Sequence, residues 1–213
     1  MFFVKVQWVV ETCRGVRVNG KDLILILFSY LLGGICTGYY LVQFKAKLDI
    51  REHGSGGVGA RNVGRIIGKP GFVITLFGDA LKGLVVVVLA RQFYASEPAV
   101  SLVLVAVIAG HIWPLSLQFR GGRGIATAIG SYLAYDPYIA MLLLGITVVL
   151  MVFRRGFILS GLMAFLLLPI VAYALKSPGH VVAGLAGSAV IILFAHRERI
   201  RKAFGQVLPQ REA

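Results

Sequence analysis

The chain has 213 residues, is 58% hydrophobic and only 15% charged, and has a mean hydropathy of +0.83. That balance excludes a soluble globular domain and points to an all-α polytopic membrane protein. The formal charge of +13 is read as cytoplasmic loops facing anionic lipid headgroups rather than as a nucleic-acid surface. Cys13 and Cys36 have neither the number nor the spacing for a disulfide framework or a metal site.

Residues 1–22 read as an N-terminal extension: "MFFVKVQWVV" is apolar but too short to span, and no small-residue cleavage site follows it. Apolar segments then run from Leu23 to Phe44, Gly71 to Ala90, Pro98 to Phe119, Ile125 to Tyr135, Tyr138 to Phe153, Phe157 to Leu175 and His180 to Ala195. Asp136-Pro137 separates the short fourth segment from the fifth. The expectation is about seven transmembrane helices in one domain, 23–204, followed by a tail, 205–213. Fifteen Lys and Arg residues fall on one side of this arrangement and six on the other. The positive-inside rule puts the C-terminus in the cytoplasm and the N-terminus outside.

Four polar constellations interrupt the apolar chain. In "HGSGGVGARNVGR", Gly56 and Gly59 free backbone N–H groups, and Ser55, Asn62, Arg61 and Arg65 surround them. Such a loop suits an anion, or a headgroup at the membrane surface. "FGDALKG" puts Asp79 and Lys82 on one helical face inside a span, as an internal ion pair or as part of a site. In "GHIWPLSLQFRGGRGIATAIG", His111 is a candidate base or loop anchor and Trp113 an interfacial anchor. Arg120, Gly121, Gly122, Arg123 and Gly124 there lead into a new helix whose first turn carries Thr127, a favourable place for phosphate. Finally, His196 heads a basic helix end, Arg197, Arg199, Arg201 and Lys202, and Ser160 supplies a further hydroxyl that reads first as back-bonded within its helix. His-x4-Asp, Gly-x-Ser-x-Gly and metal-ligand carboxylate spacings are all missing, so neither an acyl-serine nor a metal mechanism has support.

"GSGGVGARNVGRIIGKPG", "DALKG", "GHIWP", "FRGGRGIATAIG" and "HRERI" occur in the order found in the bacterial membrane acyl-phosphate:glycerol-3-phosphate acyltransferases, which the chain resembles from about Leu23 to Phe204. The resemblance implies a seven-helix protein of the bacterial plasma membrane with its site at the cytoplasmic face and no cofactor. It implies acyl transfer from acyl phosphate to the 1-hydroxyl of glycerol 3-phosphate, giving lysophosphatidic acid, with the soluble enzyme that makes acyl phosphate as a partner. Ser55, Asn62 and Arg65 match the first-loop serine, asparagine and arginine; Gly121, Gly122 and Gly124 match the glycine loop; His196 matches the final histidine. The chain departs from the family pattern at Gly57, Val58 and Arg61, at Arg123 where the family has lysine, and at Arg199 where it has asparagine. Ser160 sits one position beyond the family's serine.

Two bound phosphates need cations on separate loops, so Arg65 is expected at one and Arg123 with Gly121 to Gly124 at the other. Ser55 and His111 are the candidates to position the attacking hydroxyl or take its proton, with Gly56, Gly59, Asn62, Lys82, Arg120, Thr127, Ser160 and His196 as further contacts. The departures leave room for a paralogue with another acceptor, and Asp79 and Lys82 inside a span leave room for a small-anion transporter.

Overall fold

A break divides the first apolar segment. In the computed structural model, which describes residues 18–93, 95–153 and 156–205 (backbone alone for 202–205), α1 (Gly20–Gly33) and α2 (Thr37–Ala46) replace the single expected span from Leu23 to Phe44. Helix α1 starts ahead of the expected boundary because Asn19 and Asp22 form a reciprocal capping box, with bonds of 3.0 and 3.2 Å. The remainder of the expected extension, residues 1–17, lies outside the described residues.

The break leaves carbonyls without helical partners, which hydrocarbon does not tolerate. Lys82 answers it: its Nζ donates to Gly33 O at 2.9 Å and Ile35 O at 2.8 Å. Asp79, one turn earlier, accepts from the Thr37 N–H at 3.3 Å where α2 begins, and its carboxylate lies 3.1 Å from Lys82 Nζ. The cation thus meets the carbonyl end of α1 and the anion the N–H end of α2, the placement the two helix dipoles favour. The pair expected on one face is present, and it is spent on the chain's own backbone.

Both residues belong to α3 (Ala60–Gln92), a 33-residue helix that starts well before the expected Gly71. Ile67 and Gly68 leave helical geometry, Gly68 with φ 79°, and Pro70 follows. A short basic helix, residues 60–66, is therefore hinged onto the span. Next, α4 (Glu97–Ile112), capped by Ser96, stops seven residues short of the expected Phe119. Pro114 ends it, a 3₁₀ turn covers Leu115–Leu117, and Gln118 and Phe119 turn back with φ of 55° and 60°.

The chain continues as α5 (Ile125–Tyr135), α6 (Pro137–Phe153), α7 (Phe157–Ala174), α8 (Gly179–Ala195) and α9 (Arg197–Gly205). Among the described residues, four stretches can cross a membrane by length and composition: Gly20–Ala46, Ala60–Gln92, Glu97–Leu117 and Phe157–Ala174. Helices α5, α6 and α8 are shorter. The 11 residues of α5 rise about 16 Å, roughly half the hydrocarbon core. It starts deep: Gly83 of α3 packs on the Thr127 carbonyl and Gly130 of α5 on the Ala80 carbonyl, so the first turn of α5 lies beside Lys82.

Helix α4 is central, with Val103, Leu104, Val107 and Ile108 buried against Tyr132, Phe165, Leu185 and Ile192. The outer faces carry exposed Leu81, Leu144, Phe153, Ile170 and Val190, as a lipid-facing surface requires. Gly130→Val would drive its branches into Ala80 backbone. It is expected to cost about 1–3 kcal/mol or more in a detergent unfolding assay. Gly145→Ala, with nothing within 4 Å, is expected to leave the midpoint unchanged.

Candidate active site

Two helices begin near one another, since the charges of Arg61 and Arg65 beside the start of one act on Arg123 beside the start of the other. Gly59 caps α3 and Gly124 caps α5, and neither end has a side-chain cap. Their first-turn N–H groups are the sort that hold an anion. Gly124 needs its glycine, since its φ of 82° is left-handed and a Cβ would press on Ile108 and Ile112.

The loop before α3 is pinned by Asn62, which is 2% exposed. Its Oδ1 accepts from the Ser55 N–H at 2.9 Å and its Nδ2 donates to His53 O at 2.9 Å. The amide expected at the substrate is thus occupied in shaping the loop, while Ser55 and Gly56 stand exposed and Gly59 half-buried. Arg51, which the sequence reading passed over, ties this loop to the next: its Nη2 pairs with Asp49 at 2.6 Å, its Nη1 reaches Leu117 O at 3.1 Å, and its guanidinium lies over Tyr39. Only an Asp-x-Arg spacing hinted at it.

The glycine loop is built onto the end of α4. Gly122 N–H donates to His111 O at 2.9 Å and Gly121 N–H to Ile112 O at 3.1 Å. A side chain on Gly122 would strike the His111 ring, and one on Gly121 the His111 carbonyl. His111 is 3% exposed, with Nδ1 2.8 Å from Lys82 Nζ. Because an ammonium only donates, Nδ1 accepts and the imidazole proton sits on Nε2. This corrects two expectations. Lys82 has its N–H groups directed at Gly33, Ile35 and His111, and His111 offers no free Nδ1 to an attacking hydroxyl.

Arg123 is half-buried, whereas Arg61, Arg65 and Arg120 are exposed. Burial holds the Arg123 guanidinium below its usual value; Glu198 acts the other way, and Arg61 and Arg65 lower it further. Arg199 is lowered by burial and by Arg123, Arg61 and Arg65. Guanidiniums from the short basic helix at the start of α3, the glycine loop and α9 are therefore gathered close together. Arg120 faces differently, contributing to the lowered value of Asp49 behind Arg51.

His196 closes α8 and is 2% exposed. Its Nδ1 lies 2.8 Å from Ile192 O, and since a carbonyl only accepts, Nδ1 carries the proton and Nε2 the lone pair. Burial, then the nearby charges of Arg123 and Arg199, pushes this imidazole below 6.5, against the hydrogen bond to Ile192. Thr127 and Ser160 have buried hydroxyls that meet no hydrogen-bond partner among the described residues, so the expected back-bond of Ser160 is not formed. Trp113 is half-buried against Phe194, its carbonyl accepting from Tyr30 OH at 2.6 Å.

A family model described as glycerol-3-phosphate acyltransferase matches residues 23–206. A protein of Desulfitobacterium hafniense (strain Y51) named glycerol-3-phosphate acyltransferase 1 is 48% identical, over 85% of this chain and 90% of that one. One of the same name from Bacillus cereus is 39% identical over 85% of this chain and all of that one. The crystal structure of PlsY (YgiH), an integral membrane glycerol 3-phosphate acyltransferase, in its glycerol 3-phosphate form superposes with a TM-score of 0.78 at 31% identity. That match covers 88% of this chain and 94% of PlsY. The lysophosphatidic acid form gives 0.76 at 30% identity.

A folded state that keeps His196 neutral binds fewer protons than the unfolded chain between the lowered value and 6.5. Stability should therefore fall as pH drops through that window and level off below it. Thermal unfolding between about pH 7 and pH 5 should show a decline that His196→Gln reduces. In sequence, architecture and the run of its site motifs, the chain belongs to the glycerol-3-phosphate acyltransferase family.

Proposed function

We propose that this chain transfers an acyl group from an acyl phosphate to the 1-hydroxyl of glycerol 3-phosphate, giving lysophosphatidic acid and releasing phosphate. The observation that carries the reading is the meeting of two glycine-capped helix N-termini with Arg65, Arg123 and their neighbours at one end of the bundle. Two phosphorylated substrates bring several negative charges together, and a site that accepts both must supply cations from more than one element. In this reading Arg65 and the start of α3 hold one phosphate, and Arg123 with the first-turn N–H groups of α5 behind Gly124 holds the other, the Gly121 and Gly122 N–H groups being spent on the Ile112 and His111 carbonyls. Thr127 and Ser160 offer hydroxyls at the first turns of α5 and α7.

The hydroxyl oxygen attacks the acyl carbonyl, the ester bond forms, and the carbon–oxygen bond to phosphate breaks. Phosphate is a good leaving group, so no acyl-enzyme is required. His196 is the base this geometry favours, since it is neutral with Nδ1 committed to Ile192 and its Nε2 lone pair available. Ser55, exposed on the first loop, positions the acceptor, while the acyl chain lies among the apolar helices. The excess of Lys and Arg on the side of these loops supports a bacterial plasma-membrane protein with its site and C-terminus cytoplasmic, within reach of the soluble enzyme that makes acyl phosphate.

Purified protein given glycerol 3-phosphate should form lysophosphatidic acid with acyl phosphate and not with acyl-CoA. Arg65→Ala and Arg123→Ala should each lower kcat/KM by about a hundredfold or more. Near-full activity in either variant rejects the two-anion site, and product from acyl-CoA alone rejects the donor.

A further inference from the structure

Asp79, Lys82 and His111 form a buried chain that the acyl-transfer reaction, as set out above, does not use. It connects the two loops that do. Lys82 Nζ lies 2.9 Å from Gly33 O, 2.8 Å from Ile35 O, 2.8 Å from His111 Nδ1 and 3.1 Å from Asp79 Oδ1. On one side it fixes the start of α2, the helix that leads into the first loop. On the other it fixes the His111 ring, which lies against Gly122, while the His111 carbonyl accepts the Gly122 N–H at 2.9 Å and the Cys36 S–H at 3.6 Å. All three side chains are at least nine-tenths buried.

We propose that Asp79, acting through Lys82 and His111, is a positioning residue that sets the glycine loop at the height and orientation at which it grips phosphate. The identification of that ligand as a phosphate group rests on the function proposed above. Among the described residues no hydrogen bond joins the loop to Asp79 itself. A carboxylate anchors the ammonium, the ammonium fixes which imidazole nitrogen carries the proton, and the ring supports Gly122 from beneath. Without the negative charge, Lys82 is a buried cation with two carbonyls and an imidazole for partners, and its cheapest relief is to move toward water or lose its proton. Either event frees the His111 ring, and the loop loses the support that aims Arg123 and the uncapped first-turn N–H groups of α5.

A structural role alone would lower the amount of folded protein without changing how well the remainder binds anions. The test therefore reads affinity. Full-length protein in detergent is titrated with inorganic phosphate by calorimetry, and KM is measured separately for glycerol 3-phosphate and for acyl phosphate. Asp79→Asn, nearly isosteric, should weaken phosphate binding by about tenfold and raise KM for the substrate seated on the glycine loop by a similar factor. Tyr132→Phe removes a comparable buried hydrogen bond, to Ser188, away from the loops. It should lower the unfolding temperature and leave phosphate affinity and both KM values unchanged. If Asp79→Asn does not fold, His111→Gln is judged by the same thresholds, since it keeps an acceptor for Lys82 but withdraws the ring from Gly122.

Phosphate affinity within twofold of wild type in the folded variant overturns the proposal, as does a fall in kcat alone that tracks the folded fraction. A wild-type protein that binds phosphate but transfers no acyl group rejects the proposed reaction and leaves the positioning role to the binding data. A wild type that does not bind phosphate overturns both.

Discussion

Everything at the active end of this protein hangs from a helix that does not finish. Breaking an apolar helix at Gly34 to Cys36 exposes backbone groups that lipid cannot satisfy, and α3 answers with an ammonium for the carbonyls and a carboxylate for the following N–H. Neither charge is affordable alone in that setting. Each is stabilised by the other and by the dipole it faces. Because both partners come from successive turns of one rigid helix, the break is held at a defined level, and the short helix α5 can begin beside it. The glycine loop is consequently carried to the level of Lys82 on α3, and α5 needs only eleven residues from there.

The same economy shapes the anion-binding end. Neither Gly59 nor Gly124 caps its helix with a side chain, so the first-turn N–H groups are left to a ligand. Around them the chain gathers Arg61, Arg65, Arg123 and Arg199, and the charges of the first two act on both Arg123 and Arg199. In the proposed reading, a bound phosphate offsets that repulsion. The loops themselves need other support, supplied by Asn62 within the first and by Arg51 between the first and second.

Much of this was legible in the chain and some was not, for identifiable reasons. Composition declares the membrane class, and glycine-with-arginine runs declare the loops. Asp79 and Lys82 declare themselves as a pair because helical spacing is local. Their real partners are between 29 and 49 residues away, and the break in the segment from Leu23 to Phe44 is marked only by Gly33-Gly34 and Thr37-Gly38, glycines that a membrane span also tolerates. Lys82 and His111 read as site residues because polar groups in a span are usually functional, yet their atoms are turned to the protein's own backbone and to each other. Asn62 and Ser160 mislead in opposite ways: the amide is consumed by its loop, while the hydroxyl expected to bond its own helix meets no partner among the described residues.

The three arginines that depart from the family pattern explain one another. A lysine at position 123, half-buried and close to Arg61, Arg65 and Arg199, would sit in a field that favours loss of its proton, and lysine yields one readily when desolvated. A guanidinium keeps its charge under the same pressure, because even a lowered arginine remains protonated at any physiological pH. Once positions 61 and 199 carry arginine, position 123 is under pressure to follow. The substitution at the glycine loop, which in isolation resembles a loss of fit, then preserves the charge that the proposed function assigns to the loop. Its forked donors also add a second hydrogen-bonding direction toward the phosphate oxygens that a lone ammonium would meet only as a point charge.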